Sequence, residues 1–113
     1  MKDMTREEYC LYVNMREGSS LWEILADFTQ SENEDVWVSC IPEFSRLILK
    51  WQRLGFLKIA QSVKWPAVTY GDEVSGEKLD ALIRDFRSWG YAEEPELYVE
   101  VTLGARNISE LDE

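Results

Sequence analysis

The sequence contains no histidine. This absence removes the side chain that most often acts as a general base near neutral pH, together with every Ser-His or Cys-His nucleophile pair. It also removes a common zinc ligand, and the two cysteines, Cys10 and Cys40, cannot complete a four-ligand site alone. We therefore expect a protein that is not an enzyme, with no catalytic residues, no metal and no cofactor.

Long apolar runs are also missing. The longest, such as residues 47–49, fall far short of the ~20 residues that span a bilayer. The charged N-terminal residues 1–8 lack the apolar core of a secretory signal, and the cysteines have no disulfide-motif spacing. These features predict a cytoplasmic protein with reduced thiols and no membrane association.

The composition is that of a folded domain. Of the 113 residues, 45% are hydrophobic and 30% are charged, a globular balance despite a net charge of −10. Neither a linker nor an internal repeat interrupts the chain. We predict one α+β domain over residues 1–113, with about four helices, a small, mainly antiparallel sheet, and loose termini at 1–4 and 104–113.

Capping signals predict two helices near the N-terminus, or one helix interrupted at residues 18–20. Thr5 and Ser20 are each followed three residues later by a glutamate, Glu8 and Glu23, which is the capping-box pattern. Apolar residues at helical spacing follow both positions, and Gly18 can end the first helix.

Two further helices are predicted later in the chain. The clearer one covers residues 42–54, with a proline at its start and Gly55 where a C-cap belongs. The other covers residues 75–89 and ends at Gly90. Its apolar positions are Leu79, Leu82, Ile83, Phe86 and Trp89.

Strands are predicted where β-branched and aromatic residues cluster or alternate, over residues 36–40, 56–60, 63–70 and 96–103. Pro66 makes the third an edge or bulged strand. The fourth alternates strictly, so one face is expected to be buried and the other exposed. The buried face would hold Leu97, Val99, Val101 and Leu103, and the other Tyr98, Glu100 and Thr102.

Charge is distributed unevenly. From Phe44 to Gly71 there is no acidic residue, while the rest of the chain holds seven basic and twenty-two acidic residues, a net charge of −15. The basic residues of the acid-free stretch are Arg46, Lys50, Arg53, Lys58 and Lys64. The first three share one face of the predicted helix, either as its solvated side or as a phosphate-contacting stripe.

The helix that runs through Leu54-Gly55-Phe56 into two strands resembles the recognition helix and wing of a winged-helix domain, over residues 42–70. This resemblance implies a DNA-binding regulator that uses those five basic residues. The helix and strand that follow the hairpin depart from that family, and the acidic remainder repels a duplex within a Debye length of ~8 Å. DNA binding is therefore our second hypothesis.

Acidic residues cluster in three predicted loops or element edges. They are Glu32, Glu34 and Asp35; Asp72 and Glu73; and Glu93, Glu94 and Glu96. Such clusters either serve solubility alone or complement a basic partner. Carboxylates could also catalyse hydrolysis or hold Mg²⁺, but no glycine-rich phosphate loop accompanies these, so we do not expect catalysis.

Five tryptophans are present, an unusually high number for this length. Trp51 and Trp89 lie on apolar helix faces and are predicted to pack in the core. Trp22, Trp37 and Trp65 do not, and they are the candidates for exposed interface anchors, because tryptophan dominates binding hot spots.

The leading hypothesis is a non-enzymatic, acidic inhibitor of the bacterial immunity type that binds and neutralises a basic protein such as a nuclease toxin. In this interpretation the clustered carboxylates pair with the partner's Lys and Arg side chains, and the three tryptophans fill adjoining apolar pockets. A scaffold subunit with an apolar interface is a third alternative.

Overall fold

The computed structural model describes residues 3–110. These residues form six α-helices and an antiparallel sheet of four strands in the order β1-β4-β2-β3. The strands are β1 (Ser19–Ser20), β2 (Leu57–Ser62), β3 (Asp72–Val74) and β4 (Tyr98–Leu103). The predicted α+β class is confirmed. None of the helices in the described part of the chain is long and apolar enough to cross a membrane.

The two N-terminal helices begin where the capping signals predicted. Helix α1 spans Arg6–Glu17, and the Thr5 hydroxyl accepts the Glu8 N–H at 3.1 Å while the Glu8 carboxylate accepts the Thr5 N–H at 2.8 Å. Helix α2 spans Leu21–Thr29, and the Glu23 carboxylate accepts the Ser20 N–H at 2.9 Å. These bonds satisfy donors that a helix start would otherwise leave unpaired.

Helix α4 (Ile41–Leu54) confirms the clearest helical prediction. Phe44, Leu47, Ile48 and Trp51 on its apolar face are fully buried. Gly55 ends the helix with φ of 88°, a left-handed conformation that glycine adopts without a steric penalty. The chain then enters β2, so the helix packs directly on the strand that follows it.

The sheet separates two layers of the molecule, and β4 lies inside the sheet between β1 and β2. Strand β4 pairs with β2 along six residues and with β1 along two. One sheet face carries Ile59 and Val101 into a core shared with α1, α2, α4 and α6 (Gly76–Arg84). On the other face, short helix α5 (Ala67–Tyr70) packs against β2 and β4, and the Val68 N–H donates to the buried Glu100 carboxylate at 3.1 Å.

The strand predicted over residues 36–40 is wrong. Residues Glu34–Val38 form helix α3, which Asn33 caps by accepting the Asp35 N–H at 2.9 Å. The β-branched composition favoured a strand, but strand preference depends on a neighbouring strand to pair with, and the local cap and the burial of Trp37 override it.

The strand predicted over residues 63–70 is also wrong. The chain turns at the cis peptide bond Trp65–Pro66 and forms α5, and the antiparallel partner of β2 on this side is β3. Gly71 makes the return to β3 possible, because a β-carbon there would overlap the Gln61 carbonyl.

The helix predicted over residues 75–89 is interrupted. Helix α6 covers Gly76–Arg84, and a 3₁₀ turn follows over Phe86–Trp89. The Asp85 carboxylate accepts the Arg87 N–H at 3.0 Å and starts this new turn. As a result Phe86, predicted to be apolar core, is 67% exposed.

The fourth predicted strand is correct in place and only partly correct in its faces. Val99 and Val101 are buried as expected, whereas Leu97 and Leu103 are exposed. Glu100, expected on an exposed face, is 2% exposed because α5 covers that side of the sheet.

Residues 104–110, part of the predicted loose terminus, include several exposed residues but contact the rest of the domain at Gly104 and Ile108. The Gly104 N–H donates to the Phe56 carbonyl at 2.9 Å, and Ile108, in a short 3₁₀ turn, is buried in the core. At the other end, Met4 is half-buried against the core. Residues 1–2 and 111–113 of the predicted loose termini lie outside the described residues.

Candidate functional site

A groove of about 710 Å³ lies where β4 begins, between the first turn of α2 and the segment 85–97. Its volume falls in the range of about 300–1,000 Å³ that is typical of ligand sites. Its aromatic lining residues are Trp22, Trp65, Tyr91 and Tyr98, and its acidic ones are Glu23, Asp85, Glu93 and Glu96. The groove is therefore concave, aromatic and mainly acidic.

A row of three aromatic rings supports one wall. Trp22, in the first turn of α2, stacks on Trp37 with ring centroids 6.3 Å apart and meets Tyr91 edge-to-face at 4.9 Å. Trp37 is 4% exposed, and its indole N–H donates to the Ser31 carbonyl at 2.7 Å. Exposure rises along the row, so Trp37 acts as a buried support and Tyr91 as the outer ring.

The segment that follows the 3₁₀ turn, which carries Tyr91, forms much of the remaining lining. Trp89 anchors it, because its side chain is buried and its indole N–H donates to the Ile83 carbonyl at 2.8 Å. Gly90 lies close to α3, since a β-carbon there would be 3.2 Å from the Glu34 carboxylate. This contact brings Glu34 to the border of the groove.

Arg87 is the one cationic side chain among the described residues that line the groove. It forms an ion pair with Asp85 at 2.8 Å. Hydrogen bonds from the Arg87 side chain, and then from its backbone N–H, hold the pKa of Asp85 below its usual value. The side-chain hydrogen bonds to Asp85 and then the charge of Asp85 raise the pKa of Arg87, with a smaller contribution from the charge of Glu96. Within residues 3–110 neither Glu93 nor Glu96 forms an ion pair, so the groove keeps an excess of negative charge.

The structure brings four of the predicted partner-binding residues together in this groove. These are Trp22, Trp65, Glu93 and Glu96. Glu94 is exposed between the last two, and Glu34 borders the groove at Gly90.

The other predicted residues lie elsewhere. Trp37 is not an exposed anchor, because α3 turns its ring inward beneath Trp22. Glu32 and Asp35 are exposed near α3, and Asp72 and Glu73 lie on the edge strand β3, outside the groove.

Sequence reasoning missed several groove residues. Tyr91 could have been found, because it is an aromatic residue next to the Glu93 cluster and outside any apolar pattern. Glu23 was assigned only a capping role, and Tyr98 only a strand position. Arg87 had no distinguishing signal, since its place depends on the break between α6 and the 3₁₀ turn.

The basic residues of the alternative hypothesis do not form one stripe. Arg46 and its helical neighbours Lys50 and Arg53 are on α4, where Glu43 binds Arg46 through two hydrogen bonds of 3.0 and 2.7 Å. Those bonds lower the pKa of Glu43 and raise that of Arg46.

The remaining two basic residues are on the α5 side of the sheet. Lys58 alternates with buried Leu57 and Ile59 on β2, so it projects away from α4. The Lys64 ammonium lies 5.1 Å from the Tyr70 ring centroid. With α5 in place of the second strand, the segment 42–70 is not the helix and two-stranded wing that the resemblance implied.

Among residues 3–110, no group of three or more cysteine, aspartate or glutamate side chains lies close enough to hold a metal ion. No protein-family model, no curated protein and no solved structure matches this chain.

Proposed function

We propose that this protein is a non-enzymatic, acidic inhibitor of the bacterial immunity type, which binds a basic protein such as a nuclease toxin through the groove. The observation that supports this proposal is the meeting of exposed aromatic rings and carboxylates in one concave surface. Trp65 is 65% exposed and Tyr91 is 52% exposed, beside Glu93 and Glu96.

Exposed aromatic rings in a groove favour a macromolecular partner. Large aromatic side chains gain most when a partner removes them from water, and Trp and Tyr are enriched among the residues that dominate binding energy. Buried Trp37 stacks on Trp22, which in turn contacts Tyr91. Because the rings are already held in place, little conformational entropy is lost on binding.

The charge favours a basic partner. Glu93 and Glu96 lie in a chain whose net charge is −10, so the whole protein and the groove attract the same sign of charge. A nuclease collects Lys and Arg side chains to hold phosphates, and a complementary acidic surface would both speed its association and block that site.

The test is affinity purification from the native host, together with co-expression of the neighbouring genes, followed by reconstitution with the purified partner. We expect a stoichiometric complex with a basic protein, whose enzymatic activity falls on binding. The double variant Glu93→Gln/Glu96→Gln should weaken that complex by about tenfold or more, since each desolvated charge pair contributes more than 1 kcal/mol.

A matched control is Asp72→Asn/Glu73→Gln, which removes the same two charges from β3, outside the groove. It should leave the affinity within about twofold, as expected of distant charges in physiological salt. An equal loss in both double variants would contradict the groove as the binding surface. Salt-sensitive binding to duplex DNA that Arg46→Glu and Lys50→Glu abolish would favour the DNA-binding alternative instead.

A further inference from the structure

We propose that the groove is a recognition site for an arginine side chain on an exposed segment of the partner protein, seated against the Trp22–Tyr91 ring pair and bound by Glu93 and Glu96. This inference rests on the proposed function and specifies the chemistry of the same site. The rings and the carboxylates line the same groove.

Aromatic rings beside carboxylates suit a cation with an apolar stem. The faces of Trp and Tyr rings attract cations, and the methylene stem of a long basic side chain packs on the same rings. Leu97, which is exposed, adds apolar surface to the lining. A neutral apolar side chain would leave Glu93 and Glu96 without partners, so charge complementarity selects a basic one.

Arginine fits this arrangement better than lysine. Its guanidinium is planar, so it stacks on an aromatic ring and still donates hydrogen bonds in its plane to a carboxylate. Within the groove, Arg87 illustrates this in-plane bonding, since its guanidinium donates three hydrogen bonds of 2.8 to 3.2 Å to the Asp85 carboxylate.

Arg87 also weakens the site. It is the one cation among the described lining residues, its side chain is 92% exposed, and its pKa is raised partly by the charge of Glu96. Arg87 therefore competes with an incoming guanidinium for the negative charge of Glu96. Its removal is expected to tighten binding, which a merely structural role for Arg87 would not predict.

The experiment titrates the ¹⁵N-labelled full chain with a short blocked glycine–serine peptide that carries one central arginine. The five tryptophan indole signals report the location of binding. Those of Trp22 and Trp65 should shift, and that of the core residue Trp51 should not. The matched citrulline peptide should bind about tenfold more weakly or worse, and the lysine peptide about threefold more weakly.

Two pairs of variants locate the site. Glu93→Gln/Glu96→Gln should lower the affinity for the arginine peptide about tenfold, and Asp72→Asn/Glu73→Gln should change it by less than about twofold. Arg87→Gln should raise the affinity about twofold to fivefold, the effect of one exposed charge. Arg84→Gln removes an exposed arginine paired with Asp80 outside the groove and should have no comparable effect.

Equal binding of the arginine and citrulline peptides would overturn the inference, as would an equal loss in both carboxylate double variants. The basic partner protein could bind while the arginine peptide neither shifts the Trp22 signal nor competes with that partner. In that case this inference fails and the proposed function stands. If the peptide binds as expected but no basic protein forms a stoichiometric complex, the site stands and the proposed function fails.

Discussion

Replacement of Trp37 by alanine tests two features at once: that residues 34–38 are helical, and that buried Trp37 supports the aromatic rings of the groove. In a strand over residues 36–40, Trp37 would face away from Val36 and Val38. In α3 its ring is instead 4% exposed, and Val38 is 50% exposed. The two structures therefore predict opposite orders of sensitivity to mutation.

The expected magnitude follows from the burial of the indole ring. A buried tryptophan removes about 150–250 Å² from water, which is worth about 4–6 kcal/mol at ~25 cal/mol per Å². Measured truncations of buried aromatic residues to alanine cost about 3–5 kcal/mol, and we expect a value in that range for Trp37→Ala. Trp37→Phe keeps a ring but loses the indole hydrogen bond to the Ser31 carbonyl, so it should cost about 1–2 kcal/mol.

The assay is urea unfolding followed by far-ultraviolet circular dichroism, with Val38→Ala as the matched control in the same helix. Val38→Ala should change the free energy of unfolding by no more than about 0.5 kcal/mol, as exposed positions usually do. A Trp37→Ala variant within about 1 kcal/mol of the wild type would refute the reasoning. So would a Val38→Ala variant that is the more damaging of the two.

Four further predictions concern the rest of the fold. Burial, and then the charge of Asp27, raise the pKa of the Cys10 thiol from 9.0 to about 12. Iodoacetamide at pH 8 should therefore modify Cys40→Ser, which keeps Cys10, far more slowly than Cys10→Ser; equal rates would contradict this. Because that pKa is raised, the stability that the neutral Cys10 thiol contributes is fully present below pH 9.0 and is lost as the pH rises towards about 12, a loss that Cys10→Ala should remove. Glu100→Ala should lower the free energy of unfolding by about 1–3 kcal/mol, because it leaves the Val68 N–H unpaired. Glu100→Gln keeps an acceptor and should cost less, and the reverse order in urea melts would show that this bond is unimportant. Gly71→Ala should prevent the return from α5 to β3 and lower the melting temperature more than Gly76→Ala, which meets no atom within 4 Å and strains only a φ of 62°. A smaller loss for Gly71→Ala would contradict the close approach to Gln61.

Helix starts and ends were predictable because their signals are local. The hydrogen bonds of Thr5 with Glu8 and of Ser20 with Glu23 join residues three apart, and the left-handed turn at Gly55 needs only the absence of a side chain. These interactions form with almost any surroundings, so the sequence pattern was sufficient.

The groove was predictable only in part. The composition singled out Trp22, Trp65 and the Glu93 cluster as residues without an obvious core role. The sequence could not show that they meet, because that depends on the break at Asp85 and on the fold of the segment after Trp89. It also misplaced Trp37, whose burial results from a contact with another helix.

The sequence by itself determined that this is an acidic α+β domain with a basic segment, and where three of its helices begin. Composition and contacts between near neighbours are sufficient for those properties. Only the tertiary structure decided that residues 36–40 are helical, that Glu100 is buried, and that four scattered candidates line one groove. The physical reason is that burial and strand pairing are properties of contacts between segments far apart along the chain, where the surroundings outweigh local preference.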